Sequence, residues 1–262
     1  MDSALLFIGC GNMGGALALG LRRGVFDKLL FYDIESAKAS SLAARTGGES
    51  VLSLSHAITE ASTVVLAVKP QSFPKLAVEV NSFFYDHQTV VSIMAGVSIM
   101  AISNSILANI DIVRAMPNTP ALVGEGLTAI SGGTQTAQTQ AEKLFNGVGK
   151  IITVAESDMD AVTALSGSGP AYLFYYAETL LRIAQRYGFD DEKAKALVYQ
   201  TITGAMKLLT TSGESPVELR RRVTSPGGVT EAVIAELKDS GFEEMVSKAI
   251  DRGVARSKAL GK

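Results

Sequence analysis

The sequence predicts an α/β protein, with a doubly wound, mostly parallel sheet over residues 1–155 and an all-α domain over 156–262. Three observations carry this. Short β-rich runs that are apolar throughout alternate with helical patterns in the first half, as expected when helices cover both faces of a parallel sheet. From about Glu156 the strand signals stop and long helical patterns take over. Hydrophobic residues make up 47% of the 262 positions and charged ones only 19%, which suits a large buried fraction.

In order, "ALLFI" (4–8), "LLFYD" (29–33), "TVVLAV" (63–68), "TVVSIM" (89–94), "DIVRA" (111–115), "LTAIS" (127–131) and "KIITV" (150–154) read as strands. Helical patterns run from Met13 to Arg23 and from Ser36 to Arg45, giving the βαβ rhythm of a doubly wound domain. In the second half, helices are expected over Ala171–Tyr187, Lys193–Thr211, Pro226–Asp239 and Glu243–Leu260, with "TSGESP" (211–216) as a turn. Between Ala171 and Arg186 the only charges are Glu178, Arg182 and Arg186 itself. So apolar a helix has more than one buried side, and such helices on a monomer would leave large apolar patches. An intertwined oligomer is the expectation.

The first strand runs into "GCGNMGG". Gly9, Gly11 and Gly14 stand at G-x-G-x-x-G spacing, with Asn12 and Met13 between the last two. Gly9 permits the tight turn, Gly11 lets a pyrophosphate approach the backbone, and Gly14 lets helix and strand pack closely. The helix start then offers free N–H groups to phosphates. In this strand–loop–helix context the triplet points to a dinucleotide. Cys10 inside the loop reads as a small filler. Asp33 ends the second strand, about where an acidic residue binds an adenosine ribose hydroxyl. Its charge would repel a 2′-phosphate, and Lys38 is the one cation nearby, which leans the local chemistry towards NADH. "AVKPQ" (67–71) sits at the sheet edge where open α/β folds bind ligands. Lys69 there reads equally as a solvated residue. "RAMPNTPALVGEG" (114–126) is a rigid polar loop, either a wall for a nicotinamide ring or an ordinary connection.

Two further glycine stretches precede helices. In "VTSPGGVTEAV" (223–233), Ser225 and Pro226 read as an N-cap and first-turn pair, with Gly227 and Gly228 in the first turn. Bare amides at such a start suit a carboxylate, and Thr230 can add a hydroxyl. "SGSGP" (166–170) offers Ser166 and Ser168 as caps and Pro170 near the first helical position. Both stretches let a small anion, or a neighbouring backbone, come close.

Taken together, "GCGNMG", "AVKPQ", "RAMPNTPALVGEG", "TALSGSGPAY" and "VTSPGGVTEAV", in this order and at these separations, resemble pyrroline-5-carboxylate reductase over essentially the whole chain. The resemblance implies an N-terminal Rossmann domain, a C-terminal helical dimerisation domain and NADPH or NADH as cofactor. It also implies the final step of L-proline synthesis and, in many members, a decamer of five dimers. By position, Ala67, Val68, Lys69, Pro70 and Ala95 would border the coenzyme. Glu156, Ser225, Gly227, Gly228, Val229 and Thr230 would line the substrate pocket. Where the family often has an asparagine ahead of the "AVKP" strand, this chain has Leu54 between Ser53 and Ser55. Many members prefer NADPH, against the lean given by Asp33, so both coenzymes stay open.

The substrate the resemblance implies is a cyclic imine whose carbon accepts hydride while its nitrogen carries a proton. Thr230 is expected to hydrogen-bond that nitrogen and to orient more than to protonate. Other classes are disfavoured. The formal net charge of −2 gives no pull towards nucleic acid or a membrane surface. No His/Cys/Asp cluster has metal spacing, and His56 and His87 lie outside the motifs. A β-hydroxy-acid dehydrogenase would want a lysine on the interdomain helix, and none stands between Val154 and Glu192. A non-catalytic dinucleotide-binding regulator would not need an intact "TSPGGVT". The single cysteine, the lack of a basic n-region and the lack of any long apolar run give a cytoplasmic location as the expectation.

Overall fold

The computed structural model describes residues 3–22 and 24–261. Its sheet has eight strands: β1 (Ala4–Ile8), β2 (Lys28–Tyr32), β3 (Glu49–Ser50), β4 (Thr63–Leu66), β5 (Thr89–Ser92), β6 (Asp111–Met116), β7 (Gly126–Ser131) and β8 (Gly149–Thr153). They lie in the order β3-β2-β1-β4-β5-β6-β7-β8. Every pairing is parallel except β6 with β7. That exception follows from the link between them, which holds only a 3-10 turn at Thr119–Val123 and is too short for a crossover helix. The fold is thus the mostly parallel Rossmann-type sheet the sequence predicts. β3 is the strand the pattern does not announce, since two polar residues at a sheet edge carry no periodicity.

Between the strands run α1 (Asn12–Gly20), α2 (Ser36–Thr46), α3 (Leu54–Glu60), α4 (Phe73–Val80), α5 (Ile99–Ser103) and α6 (Gln135–Phe145). Successive strand residues face opposite sides. Leu5, Phe7, Val65 and Val91 therefore enter one core, while Leu6, Ile8, Val64 and Val90 enter the other. The stacked rings of Phe7 and Phe31, 5.4 Å apart, lie in the first. The strand order reverses between β1 and β4, and the crevice beyond their carboxyl ends is where such sheets take ligands.

After β8 come α7 (Met159–Val162), a π-helical turn at Thr163–Gly167, and then α8 (Gly169–Arg186), α9 (Asp191–Thr211), α10 (Pro216–Arg222), α11 (Val229–Asp239) and α12 (Phe242–Leu260). Two compact units result. The first runs to Pro170 and takes in the C-terminal stretch from Asp251; the second is Ala171–Ile250. The change of pattern at Glu156 and the compact division after Pro170 are therefore different boundaries. The reason is local: Met159 is fully buried and packs with Met116, Ala129 and Ala95 of the sheet domain.

The second unit buries little of its apolar surface within the single chain. Among its described residues only Ala194 and Val198 are buried, while Phe174 and Tyr175 on α8 are 68% and 66% exposed. Apolar surface of that extent marks an association face.

Candidate active site

The glycine loop has the geometry its spacing predicts. Gly9 has φ +106°, and a Cβ on it would lie 2.6 Å from the Ala67 carbonyl oxygen at the end of β4. A Cβ on Gly14 would lie 2.5 Å from the Gly9 carbonyl oxygen and 3.3 Å from the Ala67 Cβ. These two glycines let β1, α1 and β4 close on one another. Gly11 is different, because a Cβ there would meet nothing within 4 Å. It is the N-cap of α1 and makes no side-chain cap bond. The open space over Gly11 and the uncapped helix start fit a dinucleotide pyrophosphate.

Asp33 follows β2 and reaches back to this loop. Its Oδ2 accepts the Cys10 N–H at 2.7 Å and its Oδ1 accepts the Glu35 N–H at 2.9 Å. One carboxylate thus pins the glycine loop to the end of β2. Burial, and secondarily the Asp33 charge, push the Cys10 thiol up to about 12, so the filler role fits and a thiolate does not form near neutral pH. Lys38 is held by Glu35 at 2.6 Å.

The other expected coenzyme contacts fall at the same sheet edge. Ala67 donates its N–H to Ile8 O at 2.9 Å, and Val68 packs against the second core. Lys69 is exposed, and its carbonyl closes the short 3-10 turn that begins at Pro70. Ala95 is half-buried beyond β5, next to Gly96 at φ +79°. Leu54, the position where the family often has asparagine, is buried in the second core, and Ser53 caps α3 instead.

Glu156 lies just after β8. Its Oε1 accepts the Ile99 N–H at 2.7 Å and faces the Arg114 Nη1 at 3.4 Å. The "SGSGP" stretch does not form a free helix start. Helix precedes it, and the π-helical turn closes with Ser168 N–H on Thr163 O at 2.9 Å. Such turns recur at functional sites. Asn118 of the proline-rich loop donates through Nδ2 to Ser166 Oγ at 3.2 Å and accepts the Leu127 N–H at 2.9 Å. That loop therefore holds the π turn in place. A Cβ on Gly167 would press on Met116 Sδ at 3.2 Å, so this glycine serves packing, whereas Gly169 faces open space.

In the second unit, α11 begins at Val229 with Gly228 as N-cap, not at Pro226 with Ser225 as cap. Ser225–Gly228 instead forms a tight turn, with Gly228 N–H on Ser225 O at 3.0 Å and Gly227 at φ +69°. Proline at the second position and a left-handed glycine at the third make a type II turn. The turn is energetically better than a helix start with two glycines, and it explains the Pro-Gly pair. Its Gly227 N–H donates to Glu231 Oε2 at 2.7 Å. Val229 is 84% exposed and Thr230 is half-buried in the first turn of α11.

The comparisons with known proteins settle the lineage. Residues 156–260 match the family described as pyrroline-5-carboxylate reductase dimerisation, and residues 4–96 match NADP oxidoreductase coenzyme F420-dependent. A pyrroline-5-carboxylate reductase of Corynebacterium melassecola is 36% identical over 268 aligned positions, covering 99% of each chain. The chain belongs to the pyrroline-5-carboxylate reductase family. A solved pyrroline-5-carboxylate reductase structure from Coxiella burnetii superposes over 100% of both chains with TM-score 0.87 and 32% identity. One from Plasmodium falciparum with NADP bound gives TM-score 0.87 at 29% identity, covering 100% of this chain and 98% of that one.

Against this family, the first unit brings Gly9, Gly11, Asn12, Met13, Gly14, Asp33, Ala67, Val68, Lys69, Pro70 and Ala95 to the carboxyl edge of one sheet. NAD(P)H is the cofactor this cradle fits. Ser225, Gly227, Gly228, Val229 and Thr230 share one turn and helix start in the second unit. Arg114 and Glu231 stand inside the quoted motifs "RAMPNTPALVGEG" and "VTSPGGVTEAV" with no role read for them, and Asp160 lies outside every motif. Arg114 left a trace, as the one charge inside the run "IVRAM". Among the described residues no group of three or more His, Cys, Asp or Glu is placed to hold a metal ion, and no helix is long and apolar enough to cross a membrane.

Proposed function

We propose that the Ser225–Gly228 turn and the first residues of α11 hold the substrate of a pyrroline-5-carboxylate reductase, with its coenzyme on the glycine loop and the ends of β4 and β5. The reaction reduces the cyclic imine 1-pyrroline-5-carboxylate to L-proline, the final step of proline biosynthesis. The observation that carries the substrate assignment is the Gly227 N–H, which donates to a carboxylate, that of Glu231, at 2.7 Å. An amide at a left-handed turn position ahead of a helix is a natural carboxylate ligand. In the reactive complex the substrate carboxylate replaces the Glu231 oxygen there.

When bound, the reduced nicotinamide supplies the hydride. The remaining work belongs to the chain. Gly227, Gly228 and Ser225 fix the carboxylate and thereby the face of the ring presented. Val229, largely exposed, offers an apolar contact to the ring methylenes. The Thr230 hydroxyl hydrogen-bonds the ring nitrogen, which must be protonated because an iminium is the better hydride acceptor. A hydroxyl is too weak an acid to be the sole proton source near neutral pH, so Thr230 orients. Glu156, which the resemblance sets at the substrate pocket, is held in the first unit by the Ile99 N–H and by Arg114.

Residues 156–262 act in this reading as the substrate-binding and dimerisation region. The exposed apolar helices associate as homodimers, and five dimers make a decamer. The protein works in the cytoplasm. Thr230→Ala and Thr230→Ser test the core of the proposal. The alanine variant, losing one hydrogen bond to a charged ring nitrogen, is expected to lose about 10- to 100-fold in kcat with coenzyme affinity unchanged, and serine to restore most of it. Unchanged turnover in Thr230→Ala would remove Thr230 from the mechanism.

A further inference from the structure

Arg114 is a charged residue on a central strand and only 4% exposed. Burial of a guanidinium is costly unless its donors are matched. Here Nη1 faces Glu156 at 3.4 Å and Nη2 faces Asp160 Oδ1 at 3.8 Å, while Nε and Nη2 make no hydrogen bond. Asp160 Oδ1 in turn accepts the Ser257 hydroxyl at 2.6 Å, and Ser257 is itself buried at 3% exposure. Ser257 belongs to the last turns of α12, in the C-terminal stretch of the first unit.

That last turn sits directly on the loop after β5. A Cβ on Gly96 would lie 2.6 Å from Ser257 O and 3.0 Å from the Leu260 Cβ, and a Cβ on Gly261 would collide with Gly96 O. The same loop continues into Ile99, whose N–H is held by Glu156. The loop that carries Ala95 is thus gripped at both ends. The C-terminal turn presses on Gly96, and the Arg114-bound Glu156 holds Ile99.

We propose that Ser257 and Asp160 are positioning residues, and that the C-terminal turn of α12, anchored through Asp160 to Arg114, sets the Ala95–Gly96 loop at the nicotinamide end of the coenzyme. Asp160 gives the buried guanidinium its second counter-charge. Ser257 links that charge to the turn that packs on Gly96. The inference rests on Ala95 bordering the nicotinamide. It requires the clamp to act on the nicotinamide half of the dinucleotide and not on the adenosine half, which the glycine loop and Asp33 hold.

The test measures dissociation constants of the purified protein for NADPH, NADH and ADP-ribose, which lacks the nicotinamide, alongside Tm. Ser257→Ala removes only the hydroxyl. Ala95→Leu fills the proposed nicotinamide edge directly. Ser257→Ala is expected to weaken both dinucleotides about tenfold, the scale of one lost bond to a carboxylate, and to leave ADP-ribose within twofold. Asp160→Asn, which keeps the acceptor oxygen and loses the charge, is expected to fall between Ser257→Ala and the unaltered protein. Equal weakening of ADP-ribose and dinucleotides would overturn the clamp in favour of general stability. Dinucleotide binding unchanged in Ser257→Ala but lost in Ala95→Leu would overturn the clamp alone. Dinucleotide binding unchanged in both would overturn the placement of the nicotinamide at Ala95, and the clamp with it.

Discussion

Replacing Asp33 separates two jobs done by one carboxylate. Its two oxygens accept the N–H groups of Cys10 and Glu35 at 2.7 and 2.9 Å. Each is a bond to a charged group, of a kind that contributes about 1.5–3 kcal/mol. Asp33→Ala removes both and leaves the Cys10 amide without its acceptor. The apoprotein should lose about 3 kcal/mol of unfolding free energy, discounted from the sum because Asp33 is half-exposed. Asp33→Asn keeps one acceptor oxygen and should lose roughly half as much. Both changes remove the charge that opposes a 2′-phosphate. A carboxylate and a phosphate about 6 Å apart repel by about 3 kcal/mol at an effective dielectric of 20. Solvent screening at a half-exposed site reduces that to about 1–2 kcal/mol, or about 5- to 30-fold. Urea unfolding and the ratio of kcat/KM for NADPH over NADH report the two jobs independently. The ratio should rise about 5- to 30-fold in Asp33→Asn while stability falls less than in Asp33→Ala. A ratio within twofold of the unaltered protein, with stability reduced as expected, would show that Asp33 pins the loop and does not face the ribose.

Other outcomes follow from the same geometry. Gly9→Ala puts a Cβ 2.6 Å from the Ala67 carbonyl at φ +106° and should cost about 2 kcal/mol or more in Tm scans. Gly11→Ala meets nothing within 4 Å and should leave Tm within about 2 °C yet abolish NADPH binding by titration. Glu231→Gln weakens the competitor for the Gly227 amide and should lower the substrate KM severalfold; a raised KM would mean that Glu231 assists binding. The Cys10 thiol, raised from 9.0 to about 12, stays protonated in the fold while an unfolded thiol ionises. Its contribution is therefore full below about pH 9 and is lost as pH rises from there, by about 1.4 kcal/mol per unit at most. Cys10→Ala should flatten that decline in urea unfolding measured from pH 8 to 10. Light scattering should give ten times the 27.5 kDa chain mass, and a dimer mass would remove the decamer.

Much of this was legible in residue order because the signals are local. Gly9, Gly11 and Gly14 follow an apolar strand, and each glycine finds in the structure the neighbour, or the open space, that the spacing implies. The apolar strands could be read because a sheet covered on both faces leaves no ambiguity about burial. The Ser225–Pro226 pair misled for a physical reason. Ser-Pro is as good a start for a helix as for a type II turn, and the two glycines that follow decide for the turn. The ties from Asn118 to Ser166, from Arg114 to Glu156 and Asp160, and from Asp160 to Ser257 span 42 to 97 positions. No periodicity records such pairs. They become visible only once the fold brings β6, α7 and the last turns of α12 together.

The most direct test follows oxidation of NADH and NADPH, in parallel, with racemic pyrroline-5-carboxylate, and identifies the amino acid formed. The account predicts coenzyme-dependent turnover that yields L-proline, lost in Gly11→Ala and strongly reduced in Thr230→Ala. Measurable dinucleotide binding with no turnover of pyrroline-5-carboxylate by either coenzyme would contradict it.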